Sequence, residues 1–258
     1  MDKWQLLFNF LIEIFNTLIF IKRITFTPKY IKLRKLMKRN GQLLLRPRTD
    51  KCLVLATGPS LEELDLSTIT EDTIAMNSFH EYDKGRTKVT YYMLMDTIIF
   101  TEDNGRTLKK VVDLYKDSII VLNGKYVREV EALIGHHDNV YYTLGYGRFI
   151  KEKSKLDFTK NIPVSMNVTA DAIKLAIFLR YNEIDIYGFD FTLITQFQFR
   201  HAGENGYYNI EFDQSMNLFW HTLIAKEHEE ISKMAKSRNI RIVNKSKNSL
   251  SAAYEKEE

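Results

Sequence analysis

From residue 51 onward the chain alternates short apolar runs with stretches of helical periodicity, and this alternation constrains the fold more than any other feature of the sequence. The runs at 51–56, 72–77, 89–95, 118–122, 139–143, 183–188 and 239–243 have the length and composition of buried strands. Helical patterns fill the intervals, at roughly 61–67, 104–115, 126–134, 166–181 and 214–237. Strands that are apolar on both faces, joined through helices, belong in a parallel sheet with helices on each side. The predicted fold is therefore α/β, a doubly wound, mostly parallel sheet. With 258 residues, 45% of them hydrophobic, the chain suffices for one such domain and an appendage.

In this architecture ligands bind beyond the carboxyl ends of the strands. After the first strand comes Thr57-Gly58-Pro59-Ser60. Gly58 allows a tight turn, Pro59 pre-sets φ for helix entry, and Ser60 is placed to cap a short helix with the acidic first turn Glu62-Glu63. Free amides at such a turn make an anion site; the alternative is a turn and cap with no ligand. The turn is neither a Walker A loop nor Gly-x-Gly-x-x-Gly. Asn77 ends the second strand, with donors and an acceptor suited to a ribose or base edge. Asp96 follows the third. Asp190 follows the sixth, either as a structural carboxylate binding loop amides or as a group of the site.

The lone cysteine, Cys52, lies in an apolar run, which rules out a disulfide framework and a cysteine zinc site and predicts a buried thiol. The net charge of +4 conceals an asymmetry. Residues 1–49 carry eleven Lys and Arg against Asp2 and Glu13, a net +9, which leaves −5 for residues 50–258. The chain divides accordingly into a basic arm, 1–49, and a body, 50–258. In the arm, residues 4–21 are mostly apolar, and the polar Asn9, Glu13, Asn16 and Thr17 fall at helical spacing. Glu13 makes a spanning helix costly, and no cleavage site marks a signal peptide. An amphipathic helix followed by Lys22, Arg23, Lys29, Lys32, Arg34, Lys35, Lys38 and Arg39 predicts an in-plane anchor on an anionic membrane, through residues 4–39. The other use of such a helix is packing on the body or in a homo-oligomer interface. No nucleic-acid recognition motif accompanies the charge.

The string Leu53-Val54-Leu55-Ala56-Thr57-Gly58-Pro59-Ser60-Leu61, followed by Met76-Asn77-Ser78-Phe79, resembles the opening of the bacterial sialyltransferases of glycosyltransferase family 42. Their pattern is an apolar strand, Gly-Asn-Gly-Pro-Ser-Leu, then a strand ending Cys-Asn-x-Phe. The stretch from Ala176 to Phe191 resembles the family's Ala-Ile-Ala-Leu-Gly-Tyr-Lys-Glu-Ile-Tyr-Leu-x-Gly-Ile-Asp-Phe, and Asn248-Ser249-Leu250 its Pro-Asn-Ser-Leu. These anchors keep their order across residues 51–252. Motility-accessory-factor and archaeal pterin-pyrophosphokinase-like proteins form a wider group that shares the Gly-Pro-Ser turn.

The resemblance implies a Rossmann-like sheet of the GT-A-variant type and a CMP-activated sialic acid or related sugar as donor. It further implies a cell-envelope glycan or glycolipid acceptor and an inverting reaction; the basic arm predicts work at the inner face of the bacterial cytoplasmic membrane, and the lack of an Asp-x-Asp pair predicts that no cofactor or metal is required. In that family the turn and the strand-two Asn hold CMP; the matched positions are Thr57, Gly58, Pro59, Ser60 and Asn77, with Thr57 standing for the family's Asn. The family's catalytic base is a lid histidine before Pro-Asn-Ser, and His221 lies 27 residues before Asn248. Of two lid tyrosines that bind the leaving phosphate, the first matches Thr192 and the second Tyr207 or Tyr208. The family's Arg and Ser before the long helix fall near Ser165 and Asn167, and the Arg has no match.

Displacement by an acceptor hydroxyl needs a base of near-neutral pKa, which histidine supplies. His221 is the first candidate and His201, in a polar loop, its rival. His136-His137-Asp138 reads as a surface turn. Tyr207 or Tyr208, Thr192 and Arg200 are donors for the leaving phosphate. The long polar segment from 192 to about 220, with Gly203 and Gly206, predicts a lid that excludes water from the donor. Two other readings remain: a magnesium-dependent diphosphoryl or phosphoryl transferase using Asp96 and Asp190, and a non-catalytic glycan-assembly factor.

Overall fold

The computed structural model describes residues 28–192, 198–199, 201–203, 208–209 and 214–256, with isolated positions 10, 11, 14 and 18. In chain order the strands are β1 (Lys51–Leu55), β2 (Asp72–Met76), β3 (Tyr91–Leu94), β4 (Ile119–Asn123), β5 (Val140–Thr143) and β6 (Gly145–Phe149). They continue as β7 (Ile162–Val164), β8 (Glu183–Tyr187), β9 (Gln198–Phe199), β10 (Tyr208–Asn209), β11 (Arg241–Asn244) and β12 (Glu255–Lys256). The helices are α1 (Pro28–Lys38), α2 (Phe79–Asp83), α3 (Ile98–Thr101), α4 (Arg106–Leu114), α5 (Val127–Ile134), α6 (Val168–Phe178) and α7 (Gln214–Ser237).

Eight strands form one sheet in the order β12-β11-β8-β1-β2-β3-β4-β5, and every neighbouring pair is parallel. Successive residues of a strand serve opposite faces. Cys52, Val54, Ile74, Met76, Tyr91 and Met93 face a core shared with α6 and α7. Leu53, Leu55, Ala75, Tyr92 and Leu94 face a second core shared with α1, α4 and α5. The doubly wound expectation and its seven strands are thus present. Short strands β6, β7, β9, β10 and β12 add to them, and the Cys52 thiol is buried as expected. Burial pushes that thiol's pKa well up.

The helix expected over 61–67 is instead two 3-10 turns, Pro59–Glu63 and Leu66–Thr68. The Asp65 carboxylate accepts the Ser67 amide at 3.0 Å, a local bond that competes with a continuous helix. Ser60 does not cap the first turn; Gly58 occupies that position, and the Ser60 hydroxyl donates to Ser246 Oγ at 2.7 Å.

Part of the basic arm docks on the body. Leu33 and Met37 of α1 are buried, and α1 lies against β5 and α5. Asn40 Nδ2 donates to the carbonyls of Tyr142 and Phe158, at 2.8 and 2.7 Å. Lys32 pairs with Glu131 at 2.7 Å.

From β1 the chain winds outward to β5, then returns to place β8 on the other side of β1. That reversal opens a crevice beyond the carboxyl ends of β1 and β8.

Candidate active site

The crevice at this switch point is a cavity of about 600 Å3. Its walls carry Thr57, Gly58, Pro59 and Ser60 from the turn after β1, Asp190 and Thr192 from the loop after β8, and Asn167, His201, His221 and Asn248. Nine of the residues read from the sequence as site candidates meet here.

The turn after β1 spends the amides of Gly58 and Ser60 within the protein. Gly58 N–H donates to the Gly188 carbonyl at 2.9 Å, and Ser60 N–H to Asp190 Oδ2 at 3.0 Å. The anion in this turn is the protein's own carboxylate, Asp190. Close approach makes both glycines necessary. A Cβ on Gly58 would lie 2.5 Å from the Gly188 carbonyl oxygen, and one on Gly188, at φ +72°, would collide with the Ala56 carbonyl oxygen. The Asn248-Ser249-Leu250 string braces the same loop. Ser249 Oγ donates to the Phe189 carbonyl at 2.7 Å and Leu250 N–H to the Asp190 carbonyl at 2.9 Å.

Residues 201–203 dock over the turn, with Ala202 N–H on the Thr57 carbonyl at 2.9 Å and Gly203 N–H on Glu62 Oε1 at 2.8 Å. His201 is held at the crevice by this docking. His221, in α7, is 5% exposed and its ring sits 5.6 Å from that of Phe191. Tyr207 and Arg200 lie outside the described residues; the Tyr208 backbone is in β10, and its side chain also lies outside them.

Asn77 departs from its expected use. In the left-handed region at φ 39°, it accepts the Met95 amide on Oδ1 at 3.1 Å and donates from Nδ2 to Asp96 Oδ2 at 2.6 Å. It is not on the crevice wall; it aims Asp96 into a second cavity, of about 640 Å3, beyond the ends of β3, β4 and β5. Ser165 also lines that second cavity, and Asn167 lines both. Burial raises the Asp96 pKa, opposed by the Asn77 bond and by the charge of His201.

Asn167 caps α6 by accepting the Ala170 amide on Oδ1 at 2.8 Å. The same oxygen lies 3.3 Å from His228 Nε2, and His228 Nδ1 lies 2.6 Å from the Tyr254 hydroxyl. An amide oxygen only accepts, so Nε2 carries the proton and Nδ1 accepts from Tyr254. Burial, then the Lys174 charge, lowers the His228 pKa to about 3, which keeps the ring neutral. With Oδ1 engaged twice, Asn167 presents its Nδ2 donors, which bond to nothing among the described residues.

Behind this junction is a buried ionic cluster that the sequence reading missed. Lys174, fully buried, donates to Glu227 Oε1 at 2.7 Å and Ser165 Oγ at 2.6 Å, and Glu227 Oε2 accepts the Met166 amide at 2.7 Å. Ser165 in turn bonds Asp171 Oδ1. Burial raises the Asp171 pKa to about 6 against the pull of Lys174. The available signal was Asp171 and Lys174 inside an otherwise apolar helix, since buried charge needs partners. Among the described residues no three His, Cys, Asp or Glu side chains cluster as metal ligands would. His136 and His137 sit in the surface turn expected of them, His136 3.2 Å from Asp138.

The chain matches no protein-family model and no curated protein. Among solved structures it is similar to the sialyltransferase CstII from Campylobacter jejuni in complex with the substrate analogue CMP-3FNeuAc. Identity there is 20%, over 81% of this chain and 86% of that one, with a TM-score of 0.48. A second structure of CstII, with cytidine-5'-monophosphate, is 18% identical over 80% of this chain and 84% of that one, with a TM-score of 0.45.

Proposed function

We propose that the protein is an inverting, metal-independent glycosyltransferase that moves a sugar from a CMP-activated donor, sialic acid or a relative, to a cell-envelope glycan. The observation that carries this reading is the convergence of the Thr57–Ser60 turn, Asn167, Thr192, His201 and His221 on one crevice at the sheet's switch point. The ordered sequence anchors from Leu53 to Leu250 support CMP as the nucleotide.

In the proposed reaction the acceptor oxygen attacks the anomeric carbon. The bond from that carbon to the phosphate oxygen breaks, and its electron pair leaves with CMP. His221 takes the acceptor proton, His201 being the alternative base. Thr192, with Tyr207 or Tyr208, donates to the departing phosphate.

The arm supports work at the inner face of the cytoplasmic membrane. Phe10, Leu11, Ile14 and Leu18 are helical, between 40% and 59% exposed, and spaced to share one face. Among the described residues no helix is long and apolar enough to cross a membrane.

A thermal-shift panel tests the proposal. CMP or CDP is expected to raise Tm selectively, unaffected by EDTA. A response to ATP only, and only with magnesium, would replace it with the phosphoryl-transfer reading.

A further inference from the structure

The cavity beyond β3, β4 and β5 is lined by groups of both charges. Two are carboxylates, Asp171, itself 6% exposed, and Asp96. Ser165 holds Asp171 Oδ1, and no bond to its Oδ2 is present among the described residues. Asp96 has Asn77 on one oxygen. Carboxylates with open acceptor positions suit the hydroxyls of a polyol. Tyr30 and Tyr146 line the same space, flat apolar surfaces against which a sugar ring can pack. Two cations complete the lining. Lys29 is paired only loosely, with Glu129 at 3.7 Å, and Lys125 is exposed, its ammonium 5.0 Å from the Tyr126 ring centre. A phosphate is repelled by the carboxylates and attracted to the lysines.

We propose that this cavity is the acceptor subsite and takes a glycosyl phosphate, its sugar hydroxyls on Asp96 and Asp171 and its phosphate at Lys29 and Lys125. The assignment rests on the transferase reading for its role, and Asn167, shared by both cavities, is where acceptor and donor meet. Lys29 and Tyr30 belong to α1, within the basic arm. A lipid carried on the glycosyl phosphate would therefore emerge beside α1. A free sugar phosphate shares the same chemistry.

Saturation-transfer NMR on the full chain tests this with hexose 1-phosphates, glucose, galactose and N-acetylglucosamine, against the parent sugars. At least one 1-phosphate is expected to bind tenfold or more tighter than its parent, without displacement by CMP. Lys29→Ala with Lys125→Ala should abolish that advantage, at unchanged Tm and with CMP affinity held within twofold. Asp171→Asn should weaken parent sugar and 1-phosphate alike. Vesicles carrying a polyprenyl-phosphate-linked hexose, compared with vesicles lacking the sugar, separate the lipid-linked source from the free one. Equal affinity for sugar and sugar phosphate, displacement by CMP, or no binding of any probe overturns the proposal. Sugar phosphate bound by a chain that ignores CMP would retain the cavity assignment and sink the donor reading instead.

Discussion

The amide of Ser60 donates to the carboxylate of Asp190 at 3.0 Å, which ties the turn after β1 to the loop after β8 across the switch point. A hydrogen bond to a charged acceptor contributes about 1.5–3 kcal/mol, and removing the acceptor leaves a part-buried amide unpaired. Asp190→Ala is expected to destabilise by that amount in urea unfolding and to weaken CMP binding as the crevice wall loosens. Asp190→Asn keeps an acceptor in place and should recover most of the stability. Equal losses in the two variants would mean that the charge, and not the bond, is what the turn requires.

Gly58 and Gly188 face each other in the same lock, and crowding can be separated there from backbone conformation. Gly188 has φ +72°, and an added Cβ would strike the Ala56 carbonyl oxygen. Gly135 has nearly the same φ, +73°, and nothing within 4 Å of an added Cβ. Gly135 has ψ −151°, a backbone region that glycine alone adopts readily, so Gly135→Ala should cost only that backbone penalty, about 1–3 kcal/mol. Gly188→Ala should cost several times more or yield no soluble protein. Matching midpoints in a denaturant titration would refute the crowding argument.

His228 makes stability sensitive to acid. Its folded pKa, lowered to about 3, lies below the ordinary imidazole value, so its contribution is complete above about pH 6.5 and is lost as pH falls toward 3. Asp171 acts in the opposite sense. Its folded pKa is raised to about 6, so its contribution is complete below about pH 3.9 and is lost as pH rises through 6. His228→Gln should therefore start less stable at pH 7.5 yet lose less between pH 6.5 and 4.5 than the parent. Asp171→Asn should steepen the parent's loss on acidification over the same interval. Urea unfolding at four pH values measures both slopes; a slope for His228→Gln parallel to the parent's would sink the assignment of a neutral buried ring.

Much of this was legible in the chain because the sheet's physics is local. Apolar runs such as Lys51–Leu55 and Ile119–Asn123 declare buried parallel strands, and strand ends mark where ligands go. The crevice residues Gly58, Thr192, His201 and His221 were found that way or through the family resemblance. Partner choice was not legible. Nothing at residues 57–60 says that the Ser60 amide meets a carboxylate 130 positions later, or that Asn77 spends its side chain on Asp96. The Lys174–Glu227 pair joins residues 53 positions apart on two helices, and only their packing brings the charges together.

The two crevice histidines should separate kinetically. A general base contributes about 10²–10⁴ in rate. His221→Ala is expected to lower kcat by that factor with CMP affinity unchanged, while His201→Ala should cost less than tenfold. The reverse ranking would transfer the role of base to His201. Full transfer activity in the double variant would end the case for histidine catalysis and favour a non-catalytic factor.

The arm and the body should prove separable at residue 22. Deletion of residues 1–22 removes the exposed stripe of Phe10, Leu11, Ile14 and Leu18 but leaves α1, whose Leu33 and Met37 are buried in the body. The remaining Arg23, Lys29, Lys32, Arg34, Lys35, Lys38 and Arg39 can each contribute about 1 kcal/mol near anionic lipid, but without apolar insertion that attraction is screened by salt. The truncated protein is expected to keep its Tm and to lose co-sedimentation with anionic vesicles at 0.15 M salt, a concentration at which the Debye length is about 8 Å. Leu33→Ala in the full chain should do the opposite, retaining vesicle binding while costing about 2–5 kcal/mol of stability. Undiminished sedimentation of the truncated form would place the membrane contact on the body, and the arm would then have to be read as a packing element or an oligomer interface.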